Sequence, residues 1–383
     1  MSILRINNQE SNMANCKKLY VAATSQHVGK TTSTLGLIHA LRDAGVNTAY
    51  CKPVGQQFIE VGPSRADKDA MLFASSMNFE LVPELHSPVI LGPGATTAYL
   101  DNPTGFNFGN RILKSSKILE ANHDVVVFEG TGHPGVGSVV QLSNAKVAQM
   151  VDAGLIMVVE AGVGNTIDRL DLCLSVFEQK EIPVVGVIIN KCLPTKIDKV
   201  RKYVGGVLND RGIHLLGILP YEEELGLPVM HTIRRAVKAV VTHNEDMLDN
   251  KVKDIIAGSL IDLKELKDFD NQLLVVSINR LEEALKRLAQ VSRIQGTGRS
   301  PLSGVLLTGE GDLDHAHEAY FEEHRIPILR TKLDTYEAVI KISRIEVKIN
   351  TRTPWKVKKA VELFKEHVDM RYLLDYLCLE TAN

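Results

Sequence analysis

A doubly wound α/β fold with a parallel sheet, followed by a smaller α/β domain, is the fold class the sequence predicts, and three observations lead there. Short apolar runs rich in Val and Ile recur from Lys18 onward, and they are nearly continuous in apolar residues, as strands buried on both faces are. Helix-like stretches separate them, the alternation of a parallel sheet with crossover helices. The 383 residues suffice for two or three domains at roughly 100–200 residues each, and the texture changes after Pro228.

Residues 1–17 read as a polar tail, with no apolar core and no cleavage site. LYVAA (19–23) is the first strand. A helix follows from Lys30 to the Gly45 stop, with Thr34, Leu37, Ile38 and Leu41 at the i, i+3, i+4, i+7 spacing of one buried face. TAYCK (48–52), DVVVFE (124–129), GLIMVVE (154–160), VVGVIIN (184–190) and HLLGILP (214–220) are the next strands, closing a first domain over 18–228. Residues 229–250 are charged and read as a mostly helical connecting segment. A second domain over 251–370 contains QLLVVS (272–277), a helix across Leu281–Leu288, SGVLLT (303–308), a helix over Leu313–His324 and IPILR (326–330). IQGTGRSP (294–301) reads as a mobile loop. Pro354 suits the first turn of a last long helix with Val357, Val361 and Phe364 on its apolar face, and 371–383 is a C-terminal tail.

Charge excludes some function classes. The 44 basic against 46 acidic residues give a net charge of −2, without the basic excess that nucleic acid or an anionic membrane attracts. No apolar run approaches the roughly 20 residues of a membrane helix. Cysteines 16, 51, 173, 192 and 378 are scattered, with no CxxC, which predicts reduced thiols and a cytoplasmic protein. His315 and His317 lie two apart on a helix and face different ways, so they read as solvated. Lys356, Lys358 and Lys359 read as a solvated helix face.

The strongest chemical signal is AATSQHVGKTT (22–32), placed between the first buried strand and a helix. There Gly29 lets the backbone approach an anion, Lys30 offers a point charge to β/γ-phosphates, and Thr31 offers a hydroxyl to Mg²⁺. Thr24, Ser25, His27, Val28 and Thr32 complete the candidate nucleotide loop. The strict G-x-x-x-x-G-K-[ST] pattern fails at its first glycine, where Thr24 stands.

ATSQHVGKT resembles the variant phosphate loop of dethiobiotin synthetase, and more closely the dethiobiotin-synthetase-like domain that opens long bacterial phosphotransacetylases. CKPVGQ (51–56), VVVFEGTGHPGVGSVVQLSNAKVA (125–148) and VVGVIINKC (184–192) with LLGILPYEEELGLP (215–228) resemble the same family in the same order. LTGEG (307–311), LDTYEAVIKIS (333–343) and residues 348–369 resemble the DRTGG domain that follows in those proteins.

The resemblance implies a P-loop domain that binds ATP and Mg²⁺. It makes Lys30 and Thr31 phosphate and metal contacts, with Asp69 and Glu129 as acidic metal contacts; two carboxylates and a hydroxyl are the hard donors Mg²⁺ prefers. For Asp69 the alternative is a charge favouring a helix dipole. Lys52 is the second catalytic candidate beside Lys30, a cation for charge passing from ATP to a carboxylate. Asn190 is implied to bind the adenine, against the alternative of a turn residue, and Pro220 to pack on the base. Leu193 replaces the aspartate of a guanine-reading N-K-x-D, which favours ATP over GTP. His133 is read equally as a contact to phosphate or substrate or as a loop-stabilising residue.

Departures shape the functional expectation. Gln56 stands where the synthetase has its substrate serine, and His27 replaces an acidic residue in the loop. Ile278-Asn279-Arg280 and Glu310 erode the motif that names the DRTGG domain. The chain ends at Asn383 without a phosphotransacetylase catalytic domain, so acetyl transfer is not expected. The expectation is an ATP- and Mg²⁺-binding regulatory or sensor protein with slow hydrolysis, reading nucleotide state toward a partner enzyme. The alternative is an ATP-dependent cyclo- or amide-ligase acting on a small carboxylate. A homodimer is compatible with the family, with no interface legible in the chain.

Overall fold

Six of the apolar runs pair into one sheet in the computed structural model, which describes residues 18–258, 270–295 and 300–378. They are β1 (Lys18–Ala23), β2 (Thr48–Cys51), β3 (Val125–Glu129), β4 (Gly154–Glu160), β5 (Val184–Cys192) and β6 (Leu215–Pro220). Their spatial order is β6-β5-β4-β1-β3-β2, and every pairing is parallel. The chain leaves β1 toward β2 on one side and reaches β4 on the other, so the C-terminal end of β1 is a topological switch point, where open α/β sheets bind ligands. The tail over 1–17 and residues 296–299 of the Gly/Ser segment lie outside the described residues.

Alternation along β1 sends side chains to both faces. Leu19 and Val21 pack with Leu37, Ile38 and Leu41 of helix Lys30–Asp43, as the sequence spacing predicts. Tyr20 and Ala22 point to the opposite core, formed with Phe128, Met157 and residues of helices Gly164–Glu178 and Ile197–Asp210.

The chain divides differently from the sequence expectation. Residues 18–222 and 349–378 form one unit, and 223–348 the second. Helix Pro354–His367 belongs to the first unit because Phe364, fully buried, joins the core of Leu37 and Val127. Gly36 makes this approach possible, since a Cβ there would stand 2.2 Å from the Phe364 Cβ. Residues expected as a C-terminal tail continue this packing in helix Met370–Tyr376, whose Leu373 and Leu374 are buried. Lys356, expected on a solvated face, is fully buried, while Lys358 pairs weakly with Glu362 and Lys359 reaches Glu222 at 3.0 Å.

The second unit holds strands β7 (Val240–His243), β8 (Asp254–Ala257), β9 (Gln272–Ser277), β10 (Leu302–Thr308) and β11 (Ile328–Thr331), ordered β7-β11-β10-β9-β8. Only β7 is antiparallel. Residues 229–250 are therefore not a connecting segment. They supply helix Met230–Ala236 and the edge strand β7, and Met230, Ile233 and Val237 are buried with Leu273 and Val275. The eroded motif halves meet at one end of this sheet. Ser277, beside the Ile278–Arg280 turn, lies in register with Thr308, whose hydroxyl bonds that of Thr335 at 2.9 Å.

Candidate nucleotide and metal site

The loop after β1 closes on helix Lys30–Asp43 at the switch point. Gly29 is its N-cap at φ 103°, a conformation that costs glycine little, and the helix begins at Lys30. The first-turn N–H groups and the helix dipole favour an anion there. Ser25 and His27 are solvent-accessible, whereas Val28 and Thr24 are buried. The Thr24 hydroxyl is buried without a hydrogen-bond partner, a polar atom left at the position where the strict motif has glycine. Thr31 and Thr32 follow Lys30 in the first turn, half-buried.

Four of the expected residues converge behind this loop. Glu129, at the end of β3 and fully buried, accepts from the Thr31 hydroxyl at 2.9 Å and from the Lys52 ammonium at 2.9 Å, both on Oε1. Its other oxygen accepts from the Tyr50 hydroxyl at 3.4 Å. Lys52, one residue past β2 and almost fully buried, also donates to Asp69 Oδ2 at 2.7 Å. Burial opposes the Lys52 charge, but Asp69, Glu129 and Asp67 outweigh it and raise the ammonium's pKa above its ordinary value. Burial, followed by the Glu129 charge, likewise raises the Tyr50 hydroxyl.

Asp67, not singled out in the sequence, explains how Asp69 is presented. Its carboxylate caps helix Lys68–Met77, accepting from the N–H groups of Asp69, Gln56 and Gln57 at 2.9, 3.0 and 3.2 Å. Asp69 lies in the first turn of that helix, where its charge also suits the dipole offered as its alternative, and its carboxylate lies on Lys52. The D-x-D spacing ahead of an apolar helix was the available signal. Burial raises the Asp67 pKa, against the lowering effect of Lys52.

Asn144 is the other residue that sequence reasoning missed. Its amide oxygen accepts from the Tyr20 hydroxyl at 2.8 Å and from the Thr131 N–H at 2.9 Å. Its nitrogen donates to the carbonyls of Thr131 and His133 at 2.8 and 2.7 Å. This buried hub holds the loop after Glu129, and the Thr131 hydroxyl ties the same loop to the Val54 carbonyl. His133 is exposed, with its ring Nδ1 accepting from the Gly135 N–H at 3.2 Å, a bond within the loop.

The two base-contact candidates are placed differently. Asn190, near the end of β5, is buried and donates to the Val28 carbonyl at 2.7 Å, so its amide braces the phosphate loop. Pro220 ends the edge strand β6 in register with Cys192 and is half-buried.

The donor set fits Mg²⁺. The Asp69 and Glu129 carboxylates meet at the Lys52 ammonium, and the Thr31 hydroxyl bonds Glu129, so three hard oxygen donors gather beside the helix start. No helix among the described residues is long and apolar enough to cross a membrane.

This chain is similar to known proteins. A phosphate acetyltransferase of Nitratidesulfovibrio vulgaris is 25% identical over 375 residues, covering 92% of this chain and 50% of that protein. The ATP-dependent dethiobiotin synthetase BioD of Anaeromyxobacter dehalogenans is 24% identical over 207 residues, 54% of this chain and 91% of its own. The chain spans about half the length of the phosphate acetyltransferases it matches. Among solved structures, the MinD cell division protein of Aquifex aeolicus aligns over 54% of this chain and 84% of its own, at 16% identity and a TM-score of 0.35. A DRTGG domain matches residues 232–345, within the second unit. The AAA domain family AAA_26 matches residues 17–229, more than half of the sequence, and the chain belongs to that family.

Proposed function

We propose that this protein binds ATP with Mg²⁺ at the loop over residues 24–32 and uses the bound nucleotide as a regulatory signal, with slow hydrolysis as the accompanying chemistry. The observation that carries this reading is the meeting of Thr31, Lys52, Asp69 and Glu129 directly behind the phosphate loop. Lys30 and the helix N-terminus hold the phosphates, and Thr31, Asp69 and Glu129 are the residues that would hold the metal. When bound, Mg²⁺ supplies neutralisation of phosphate charge. ATP is favoured over GTP by Leu193 and by the ATP dependence in the synthetase relative's name.

The regulatory role is supported by connectivity. The second unit leaves the first after Glu222 and returns at Ile349, and the returning helix packs on helix Lys30–Asp43 through Phe364 and Gly36. Lys52, buried against both carboxylates, favours a second reading as a ligase that passes phosphoryl charge to a carboxylate. Steady-state ADP formation separates the two. Turnover below about one per minute, unaffected by carboxylic acids with ammonia or bicarbonate, supports regulation, since typical enzymes turn over at roughly 1–1,000 s⁻¹. Acceleration of at least about tenfold by such a substrate pair, into that range, supports the ligase. Acetyl transfer, the activity in the longer relatives' name, is no part of the proposal.

A further inference from the structure

We propose that Lys52 is a built-in counter-cation for the metal carboxylates, so that this site admits a divalent ion only when nucleotide phosphates draw the ammonium away. The inference rests on the metal-nucleotide reading above and assigns that site an internal gate.

The argument begins with the oxygens themselves. Glu129 Oε1 already receives two donors, Lys52 Nζ and Thr31 Oγ1, both at 2.9 Å. Asp69 Oδ2 receives the same ammonium at 2.7 Å. A divalent ion ligated by Asp69 and Glu129 through these oxygens competes with Lys52 for both. It also brings two positive charges against a lysine whose side chain is only 5% exposed. Like charges a few ångströms apart in a poorly solvated site repel strongly, so the ion and the ammonium do not share the two carboxylates in this arrangement. A triphosphate at the neighbouring helix start changes the balance, because it offers Lys52 a new anion and the metal new oxygens. Metal and nucleotide binding then become coupled, with each raising the affinity of the other.

The placement is specified locally. Lys52 begins the KPVG stretch directly after β2, and its backbone N–H donates to the His86 carbonyl at 2.8 Å. Tyr50, two residues earlier on the strand, stacks on Phe73 at 3.7 Å and reaches Glu129. Asp67 fixes the helix start that carries Asp69. Each partner of the ammonium is thus held by a separate element, and the lysine is the long, unbranched member able to move.

The test is Mn²⁺ binding to the full chain, read by electron paramagnetic resonance of the free ion, with and without ATP. Wild type is expected to take up Mn²⁺ with ATP and to bind Mn²⁺ alone at least tenfold more weakly than Lys52→Met. Lys52→Gln, which retains a hydrogen-bond donor toward both carboxylates, serves if the methionine variant does not fold. Lys52→Arg restores exclusion, and Lys52→Gln/Glu129→Gln loses the gained site. If wild type takes up Mn²⁺ with ATP but neither neutral variant binds Mn²⁺ alone more tightly than wild type, the gate is overturned and the metal-nucleotide reading stands. If no form takes up Mn²⁺ with or without ATP, both fall.

Discussion

The side-chain amide of Asn190 donates to the carbonyl of Val28 at 2.7 Å, and the same nitrogen lies 1.9 Å from where a Cβ on Gly29 would stand. One asparagine from β5 therefore fixes the path of the phosphate loop and dictates that its neighbour be glycine. Gly29→Ala meets both this clash and φ 103°, a backbone region costing a non-glycine residue about 1–3 kcal/mol. It is expected to abolish ATP binding in a calorimetric titration. Gly29→Ala/Asn190→Ala removes the clash but not the strain, and so recovers only part of the affinity.

Asn190→Ala alone leaves the Val28 carbonyl without its buried donor. The expected cost is about 1–3 kcal/mol in urea unfolding, together with at least tenfold weaker ATP binding. Were Asn190 only a base contact, affinity for ATP would fall with no change in stability of the nucleotide-free protein.

Removing one member of the buried ion cluster separates its partners. Lys52→Met leaves fully buried Glu129 uncompensated, which costs about 3–5 kcal/mol. Asp69→Asn costs less, because Asp69 is partly exposed and Lys52 keeps Glu129. Chemical denaturation of the two variants is expected to rank them in that order. The reverse order would contradict a Lys52–Glu129 pair at the centre of the cluster.

His86 makes an acid-sensitive contact outside the site. Burial lowers its pKa from 6.5 to about 4, and its Nδ1 accepts from the Val82 N–H at 3.0 Å, a role only the neutral ring can fill. As pH falls below 6.5 the unfolded chain takes up a proton that the folded chain refuses, so stability drops progressively toward pH 4. Above pH 6.5 this group has no effect. His86→Asn, which keeps an acceptor, is expected to lose about 2 kcal/mol less than wild type between pH 7 and 4.5, at about 1.4 kcal/mol per pKa unit. Parallel stability curves would count against the assignment.

The returning C-terminal segment is structural for the nucleotide unit. Phe364→Ala is expected to destabilise it by about 3–5 kcal/mol, and a chain ending at Lys348 to lose ATP binding through unfolding, seen in near-ultraviolet circular dichroism.

Much of the first unit was legible because strands buried on both faces write themselves as unbroken Val/Ile runs, and because GKTT followed one of them. The convergence of Lys52, Asp69 and Glu129 was legible only through the family resemblance, since residues 52, 69 and 129 share no spacing that a periodicity reveals. What was not legible depended on tertiary packing. Phe364 has the same local pattern whether its helix packs on the second sheet or returns to Gly36. Val240 and Val241 gave too short a run to mark an edge strand. Lys356 looked solvated beside Lys358 and Lys359, and only the contacts of its helix bury it. Asn144 is one amide among many polar loop residues until Tyr20, Thr131 and His133 surround it.

Calorimetric titration of ATP into wild type and Lys30→Ala, with and without Mg²⁺, tests the central claim most directly, with GTP and ADP as comparisons. Micromolar ATP binding that needs Mg²⁺, exceeds GTP binding and is lost in Lys30→Ala is the expected result. Failure of wild type to bind any nucleotide, or ATP binding unchanged by Lys30→Ala, would contradict it.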